Sequence, residues 1–274
     1  MTVTDSTAQL MSGDEGAPLF GIHAGDGSIF FYFPLARKLG AARDFYAIEA
    51  PQLSDGKELR PFSVEEMAGV YLAELRRLQP SGPYHLCGFC YGGLVAYQMA
   101  VELKAAGEQV GLLGLIDADN PAGQIRERSM SERIVSLWDD PSLTSGEKCV
   151  RLLRRLGDGL ASRIYYEVEN FLARLLPTPK KKGKLRLARF RHLCERAWED
   201  YEPPPYNGDV AVFRAIECND KYELPADYSW GSVVEGKVKM IDIAGSHLSL
   251  FRGHHVDQFA KYFEEELVSR DASA

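Results

Sequence analysis

Cys90 lies in a pattern that is typical of a catalytic nucleophile. It stands between Gly88 and Gly92, after a short apolar run and before a helix-like run. A strand, a sharp turn and a helix in that order form a nucleophile elbow, in which the tip residue is strained and the flanking positions require glycine. The tip also lies at a helix N-terminus, where the partial positive charge favours an anion. We therefore predict that the thiolate of Cys90 is a nucleophile, at a position where serine is usual.

A nucleophile of this kind needs a general base, and His247 stands where such a base is expected. It follows a strand-like run, 238–243, and a short turn. The chain order of nucleophile, acid and then a histidine after the last strand is that of α/β-hydrolases. We interpret His85 as a residue of the sheet core and His254 and His255 as structural residues, so His247 is the predicted base.

The acid that orients this histidine has several candidates. Asp117 ends the strand-like run after the elbow strand, whereas Glu217 and Asp220 follow the next one, which is the more common position in hydrolases. Asp119 and Asp242 are further candidates. Placement alone does not decide between Asp117 and the later pair.

An oxyanion hole requires backbone N–H groups that point at the developing negative charge. One donor is expected from Tyr91, directly after the nucleophile, and the other from the glycine-bearing loop after the first strand, residues 24–26. We choose Gly25 as the second donor. His23, next to this loop, is interpreted as a wall residue.

Cys87 and Cys90 also form a C-x-x-C pair, a pattern found in thioredoxin-like redox pairs and in halves of zinc sites. The sequence contains no second C-x-x-C, and the remaining cysteines are isolated. A redox pair would leave Gly92, Asp117 and His247 unexplained. We therefore interpret Cys87 as a small buried side chain and predict no metal site.

Strand-like and helix-like runs alternate through the first part of the chain. The strand-like runs are 18–23, 45–48, 84–87 and 110–116. Such a series predicts a mostly parallel central sheet with helices on both faces, in which ligands bind beyond the carboxyl ends of the strands. Cys90 and Asp117 both follow such ends.

The alternation stops between about residues 121 and 205, where the runs are helix-like, and resumes at 210–216 and 238–243. We predict one α/β domain of the α/β-hydrolase type over residues 18–274, with a helical lid insertion at about 121–205. Residues 1–17 are polar, with little to bury, and predict a disordered tail or a linker.

Composition excludes several classes of protein. The 274 residues carry a net charge of −7, which argues against a nucleic-acid partner. No apolar stretch reaches the roughly 18 residues needed to cross a bilayer, and the N-terminus lacks a signal-peptide layout. Five cysteines in a chain of this length do not form a disulfide framework. We expect a cytoplasmic protein without a membrane partner; the oligomeric state stays open.

These features together resemble the thioesterase domains that end non-ribosomal peptide and polyketide synthases, in a variant with a cysteine nucleophile. The resemblance is carried by the first strand and loop, 20–27, by the elbow and its helix, 88–97, and by the turn 245–247. In that family the acid follows the strand after the elbow, which favours Asp117 over Glu217.

The resemblance implies a substrate held as an acyl, aminoacyl or peptidyl thioester on the phosphopantetheine arm of a carrier protein, with no bound cofactor. Cys90 would attack the thioester, His247 would take the thiol proton and Asp117 would orient His247. The oxyanion would bind to the amides of Tyr91 and Gly25. Hydrolysis or cyclisation would then release the chain in natural-product biosynthesis.

Cysteine in place of serine changes what the intermediate can do. An acyl group on Cys90 stays in a thioester of high energy, which suits reversible transfer or attack by an amine. One alternative is therefore an aminoacyl shuttle between two carrier proteins, and an alternative of another class is a hydrolase-fold binding protein without turnover. The sequence leaves open whether Cys90 is natural or a deliberate replacement of serine, and whether the chain stands alone or was cut from a synthase.

A basic run at Lys180–Lys184, followed by Arg186, Arg189 and Arg191, stands out in an acidic chain. One interpretation is a solvated loop. The other is a docking surface for an acidic carrier protein, because opposite charges steer association.

Overall fold

The computed structural model describes residues 6–54, 58–123, 179–217 and 222–272, with 126–127, 135, 138 and 144–146. The strands are β1 (Thr7–Met11), β2 (Leu19–Ile22), β3 (Phe45–Ile48), β4 (Tyr84–Phe89), β5 (Val110–Ile116), β6 (Arg126–Glu127), β7 (Val210–Ala215), β8 (Tyr222–Glu223) and β9 (Val238–Ile243). The helices are α1 (Tyr32–Leu39), α2 (Pro51–Ser54), α3 (Val64–Leu78), α4 (Tyr91–Ala105), α5 (Pro179–Glu199) and α6 (Gly253–Asp271).

The chain divides into a main unit and an insertion unit. The main unit comprises residues 1–124, 189–219 and 224–274, and the insertion unit comprises residues 125–188 and 220–223. Within the insertion unit, β6 pairs antiparallel with β8. The other described strands belong to the main unit, which also holds Cys90, Asp117 and His247.

Seven strands form one sheet in the order β1-β3-β2-β4-β5-β7-β9. All neighbouring pairs are parallel except β1 with β3. Parallel neighbours need crossover connections, which here include α1, α3 and α4. The predicted mostly parallel sheet is therefore confirmed, and the elbow strand β4 lies at its centre.

Two apolar layers cover the sheet because successive side chains of a strand point to opposite faces. In β4, Leu86 joins the layer formed with α3, α4 and part of α5, whereas Cys87 joins the layer formed with α1 and α6. Both side chains are fully buried. Helices thus cover both faces, as predicted, and the buried sheet holds the carboxyl ends of β4, β5 and β7 in a fixed register.

The prediction of a disordered segment over residues 1–17 is wrong for Thr7–Met11. These residues form β1, which pairs with β3 from Thr7 opposite Ile48 to Met11 opposite Phe45. An edge strand is held mainly by backbone hydrogen bonds, so it does not require the apolar pattern that the sequence argument looked for.

Most of the predicted lid, 121–205, lies outside the described residues. Its last part contains α5, which spans Pro179–Glu199. Lys180–Lys184 therefore lies in a helix and not in a loop. No described helix is long and apolar enough to cross a membrane.

Candidate active site

Cys90 occupies the turn between β4 and α4 with φ of 54° and ψ of −123°. A positive φ is costly for a residue that carries a Cβ atom, so the surrounding structure must impose it. Two backbone hydrogen bonds do so: the Cys90 amide donates to the Ile116 carbonyl, and the Gly93 amide donates to the Cys90 carbonyl, both at 2.9 Å. The turn fixes the thiol at the carboxyl edge of the sheet, beside the end of β5.

The two glycines of the elbow have no room for a side chain. A Cβ atom on Gly88 would overlap the backbone of Gly92, and one on Gly92 would overlap the carbonyl oxygens of Ile22 and His23. Neither obstacle can rotate away, because both are backbone atoms. The close approach of β4, α4 and the end of β2 therefore depends on glycine at these positions.

His247 connects Cys90 with Asp117 across the sheet. Its Nδ1 lies 2.7 Å from Oδ2 of Asp117, and the ring is close enough to the Cys90 thiol for that thiol to raise its pKa. The imidazole is also stacked on Phe89, with ring centroids 4.5 Å apart. The sequence predicted these three residues as one site, and the structure brings them together at the carboxyl edge of the sheet.

The carboxylate of Asp117 is fixed by further donors. Its Oδ1 accepts hydrogen bonds from the Ala215 amide at 3.1 Å and from the Tyr228 hydroxyl at 3.0 Å. The side chain is only 9% exposed. A carboxylate that accepts several hydrogen bonds keeps its orientation, so Asp117 can hold the Nδ1–H tautomer of His247 with Nε2 directed to the thiol.

The environment of His247 favours its charged form. Burial alone lowers the pKa of His247, but the hydrogen bond to Asp117, the polar interaction with Cys90 and the charges of both groups outweigh it and raise the pKa to about 10. A positively charged imidazole stabilises an anion next to it, and the thiolate is the form of cysteine that acts as a nucleophile.

The two predicted oxyanion donors are neighbours. A Cβ atom built on Gly25 would lie 3.5 Å from Cβ of Tyr91. Tyr91 is the first residue of α4, so its amide has no partner within the helix. The loop around Gly25 is closed by hydrogen bonds from Ala24 to Ser28 and from Gly27 to Ala24. Neither the Gly25 nor the Tyr91 amide has a hydrogen-bond acceptor in the described part of the chain.

His23 lies behind this loop as a buried wall residue. Its Nδ1 donates to the Ala24 carbonyl and its Nε2 accepts from the Tyr71 hydroxyl, both at 2.6 Å. Burial lowers the pKa of His23 to about 4, so the ring is neutral at pH 7. The neutral tautomer fixes the start of the loop. No local pattern in the sequence signals its pairing with Tyr71, 48 residues away.

The other acid candidates do not contact His247 in the described residues. Asp242 pairs with Arg214 at 2.7 Å, Glu217 is exposed, and Asp220 lies outside the described residues. Asp119 is close enough to Asp117 and His247 to be affected by their charges. Burial, and to a lesser extent the charge of Asp117, raises the pKa of Asp119. The geometry therefore singles out Asp117 as the partner of His247.

Cys87 does not share the environment of Cys90. It is fully buried in the layer beneath α1 and α6, and burial raises the pKa of its thiol to about 12. Both thiols are free. Among the residues that the structure describes, no group of three or more His, Cys, Asp or Glu side chains could hold a metal ion.

Comparison with known proteins agrees with this architecture. The chain is 30% identical over 234 residues to malpibaldin synthetase of Mortierella alpina, covering 85% of this chain and 4% of that protein. It is 29% identical to the dimodular nonribosomal peptide synthase of Bacillus subtilis (strain 168), covering 93% and 10%. With atromentin synthetase of Tapinella panuoides, it is 28% identical and covers 95% and 28%. The chain thus spans under a third of each relative.

Solved structures show the same fold. The thioesterase domain of NocB from the nocardicin cluster aligns with a TM-score of 0.63 at 21% identity, over 92% of this chain and 93% of that one. The four-domain nonribosomal peptide synthetase AB3403 aligns with a TM-score of 0.68 at 23% identity, over 95% of this chain and 20% of that one.

A strained turn between a central strand and its helix, on a mostly parallel sheet covered on both faces, defines an α/β-hydrolase fold. The predicted fold class is confirmed. The family model of the thioesterase domain matches residues 17–267. The chain belongs to the thioesterase domain family, as the resemblance predicted.

Proposed function

We propose that this domain is an acyl-transferring thioesterase whose nucleophile is Cys90, with His247 as base and Asp117 as the orienting acid. The single observation that carries the proposal is the hydrogen bond between His247 Nδ1 and Asp117 Oδ2 at 2.7 Å, close to a thiol that is held on a strained elbow. The substrate is an acyl, aminoacyl or peptidyl chain on the phosphopantetheine thioester of a carrier protein.

In the first half-reaction, the sulfur of Cys90 attacks the thioester carbonyl. The negative charge that develops on the carbonyl oxygen binds to the amides of Tyr91 and Gly25, which cost no reorganisation because the turn already holds them. The carbon–sulfur bond to pantetheine breaks, and His247 protonates the departing thiolate. Asp117 stabilises the imidazolium until it gives up this proton.

In the second half-reaction, His247 deprotonates an acceptor, which attacks the acyl-Cys90 thioester. The carbon–sulfur bond to Cys90 breaks, and the released thiolate of Cys90 lies again beside the protonated His247. Water gives the free acid and an internal amine or hydroxyl gives a ring. The exchange of one thioester for another changes the free energy little, so this site can also transfer the acyl group to the thiol of a second carrier protein. The identity of Cys90 therefore supports the aminoacyl shuttle as the second candidate function.

We propose an acidic carrier protein as the partner. The support is the basic composition of α5, which contains Lys180–Lys184 in its first two turns. Arg189 and Arg191 are about half exposed, and their acidic neighbours Glu58 and Asp26 lie 3.9 Å and 3.6 Å away. These distances exceed that of a hydrogen bond, so guanidinium N–H groups of both arginines remain available to an acidic partner.

Reversing the charges of Lys180–Lys184 tests this docking surface. The change should weaken turnover of a carrier-bound substrate and spare turnover of a small soluble thioester. Equal loss on both substrates would exclude docking at these residues.

Mass spectrometry of the domain after mixing with an acyl-loaded carrier protein tests the function. We expect an added acyl mass on the peptide that contains Cys90, and its absence in Cys90→Ala. Decay to free acid, cyclic product or a second acylated carrier identifies the acceptor. Absence of any adduct, with binding of the carrier retained, would favour a binding protein without turnover.

A further inference from the structure

We propose that Tyr228 is a positioning residue, which holds the carboxylate of Asp117 in the orientation that His247 requires. The inference rests on the proposed function, in which Asp117 orients the base. It concerns a contact that joins positions 111 residues apart.

The hydrogen bonds to Asp117 divide between its two oxygens. Oδ2 accepts from His247, and Oδ1 accepts from the Ala215 amide and the Tyr228 hydroxyl. The Ala215 donor is a backbone group that any residue except proline would supply. Tyr228 therefore provides the one side-chain donor to Oδ1 among the described residues, and its buried hydroxyl fixes the rotation of the carboxylate.

The turn that presents Tyr228 is strained. Tyr228 and Ser229 both have positive φ angles, 52° and 62°, although neither is glycine. A left-handed conformation is costly for a residue that carries a Cβ atom, and here two such residues are consecutive. Strain of this kind persists only where the surrounding contacts over-determine the conformation, so the turn must be held from several sides.

Hydrogen bonds hold the turn in two ways. Asp227 accepts from the amides of Ser229 at 2.9 Å and Gly231 at 3.0 Å, which closes the turn on itself. The backbone amide of Asn120 donates to the Tyr228 carbonyl at 3.0 Å, and its side-chain amide donates to the Ser229 carbonyl at 3.0 Å.

The same turn is tied to the loop that carries the acid. The indole N–H of Trp230 donates to the Ala118 carbonyl at 2.8 Å, one residue after Asp117. The turn and the acid loop are thus one hydrogen-bonded unit, and the strained conformation aims the phenol at Oδ1. Removal of the hydroxyl leaves Oδ1 with the Ala215 amide alone and lets the carboxylate rotate away from His247.

The test compares Tyr228→Phe with Tyr97→Phe in the full chain. Tyr97 is a similarly buried tyrosine whose hydroxyl donates to the Pro204 carbonyl at 2.7 Å instead of to the acid. With an aminoacyl N-acetylcysteamine thioester as substrate, Tyr228→Phe should lower kcat about tenfold, the loss expected for one hydrogen bond to a charged group. KM should stay within about twofold, because Tyr228 does not touch the substrate. Tyr97→Phe should change neither constant.

Alkylation of Cys90 by iodoacetamide gives a second readout, which needs no turnover. Its rate reports the thiolate paired with His247, so it should fall in Tyr228→Phe and not in Tyr97→Phe. An unchanged kcat in a folded Tyr228→Phe variant would overturn the proposal, as would a loss that Tyr97→Phe shares. If Tyr228→Phe does not fold, Asp227→Asn provides a second test, because it weakens the turn while keeping the hydroxyl of Tyr228. A lower kcat at constant KM would support the positioning role of Tyr228, and a lower Tm with constant kcat would refute it.

Cys90→Ala distinguishes the two proposals. An inactive Cys90→Ala variant beside a fully active Tyr228→Phe variant would remove only the positioning role. Full activity in Cys90→Ala would refute the proposed function, and the role of Tyr228 with it.

Discussion

The buried His23 should make the free energy of unfolding depend on pH. Its ring is held neutral by the Ala24 carbonyl and the Tyr71 hydroxyl, and its pKa is about 4 in the folded chain against 6.5 in a model peptide. Because the unfolded chain binds this proton more tightly, stability is complete above pH 6.5 and is lost as the pH falls towards 4.

The size of the effect follows from these two values. A difference of about 2.5 pKa units corresponds to about 3 kcal/mol, at about 1.4 kcal/mol for each unit. This is about a fifth or more of the total stability of a typical domain, which is about 5–15 kcal/mol. Protonation would add a proton to Nε2, which now accepts from Tyr71, and would disturb the loop that carries Gly25.

Urea unfolding of the wild type and of His23→Gln between pH 4 and 7.5 measures this contribution. His85, whose pKa burial also lowers, and His247, whose pKa is raised, contribute in both proteins and cancel in the difference. The wild type should lose its advantage over the variant as the pH falls below 6.5. A difference in unfolding free energy that stays constant across this range would refute the reasoning.

Three further predictions concern the site. Gly92→Ala should destabilise the fold by several kcal/mol, roughly the cost of forcing backbone apart, because its Cβ atom meets the carbonyls of β2 and its following loop; the melting temperature measures this. Asp119→Asn should raise the melting temperature at pH 7 and lose that gain at pH 3, because burial raises the pKa of Asp119 and makes its charge costly. Cys90→Ser should change the acyl-enzyme from one that neutral hydroxylamine cleaves to one that resists it, as mass spectrometry would show.

Each of these has a matched control or a contrary outcome. Gly69→Ala places a Cβ atom in open space within α3, so equal destabilisation by both alanines would contradict the steric argument. A lower melting temperature of Asp119→Asn at pH 7 would show that this carboxylate is stabilised. Equal hydroxylamine sensitivity of the acyl-enzymes formed by the wild type and by Cys90→Ser would mean that another residue carries the acyl group.

Local sequence patterns account for much of the fold. Ser63 and Glu66 form a capping box at the start of α3, with reciprocal hydrogen bonds of 3.2 Å, and a signal of this kind lies within one turn of helix. Periodicity likewise located β5 and β9. Thr7–Met11 escaped prediction because its partner, β3, is distant in the sequence and supplies backbone groups that any residue can use.

The same difference between local and distant signals holds for the site. Residue types and chain order predicted Cys90 and His247 as partners, and the family resemblance favoured Asp117 as the acid. Tyr228 carried no signal, since nothing in its own neighbourhood marks a tyrosine that reaches a carboxylate 111 residues away. Contacts of this kind depend on how separate loops meet, which no local pattern encodes.

The contacts of Asp117 also have a consequence for the newly synthesised chain. The residues that hydrogen-bond to it in the described structure, namely Phe213, Ala215, Tyr228 and His247, come from the last third of the sequence. The segment that carries Cys90 leaves the ribosome long before His247, its proposed base, and before the donors that orient Asp117. Under the proposed function the thiol is therefore without these partners during synthesis, and the domain becomes reactive only when the C-terminal strands have joined the sheet.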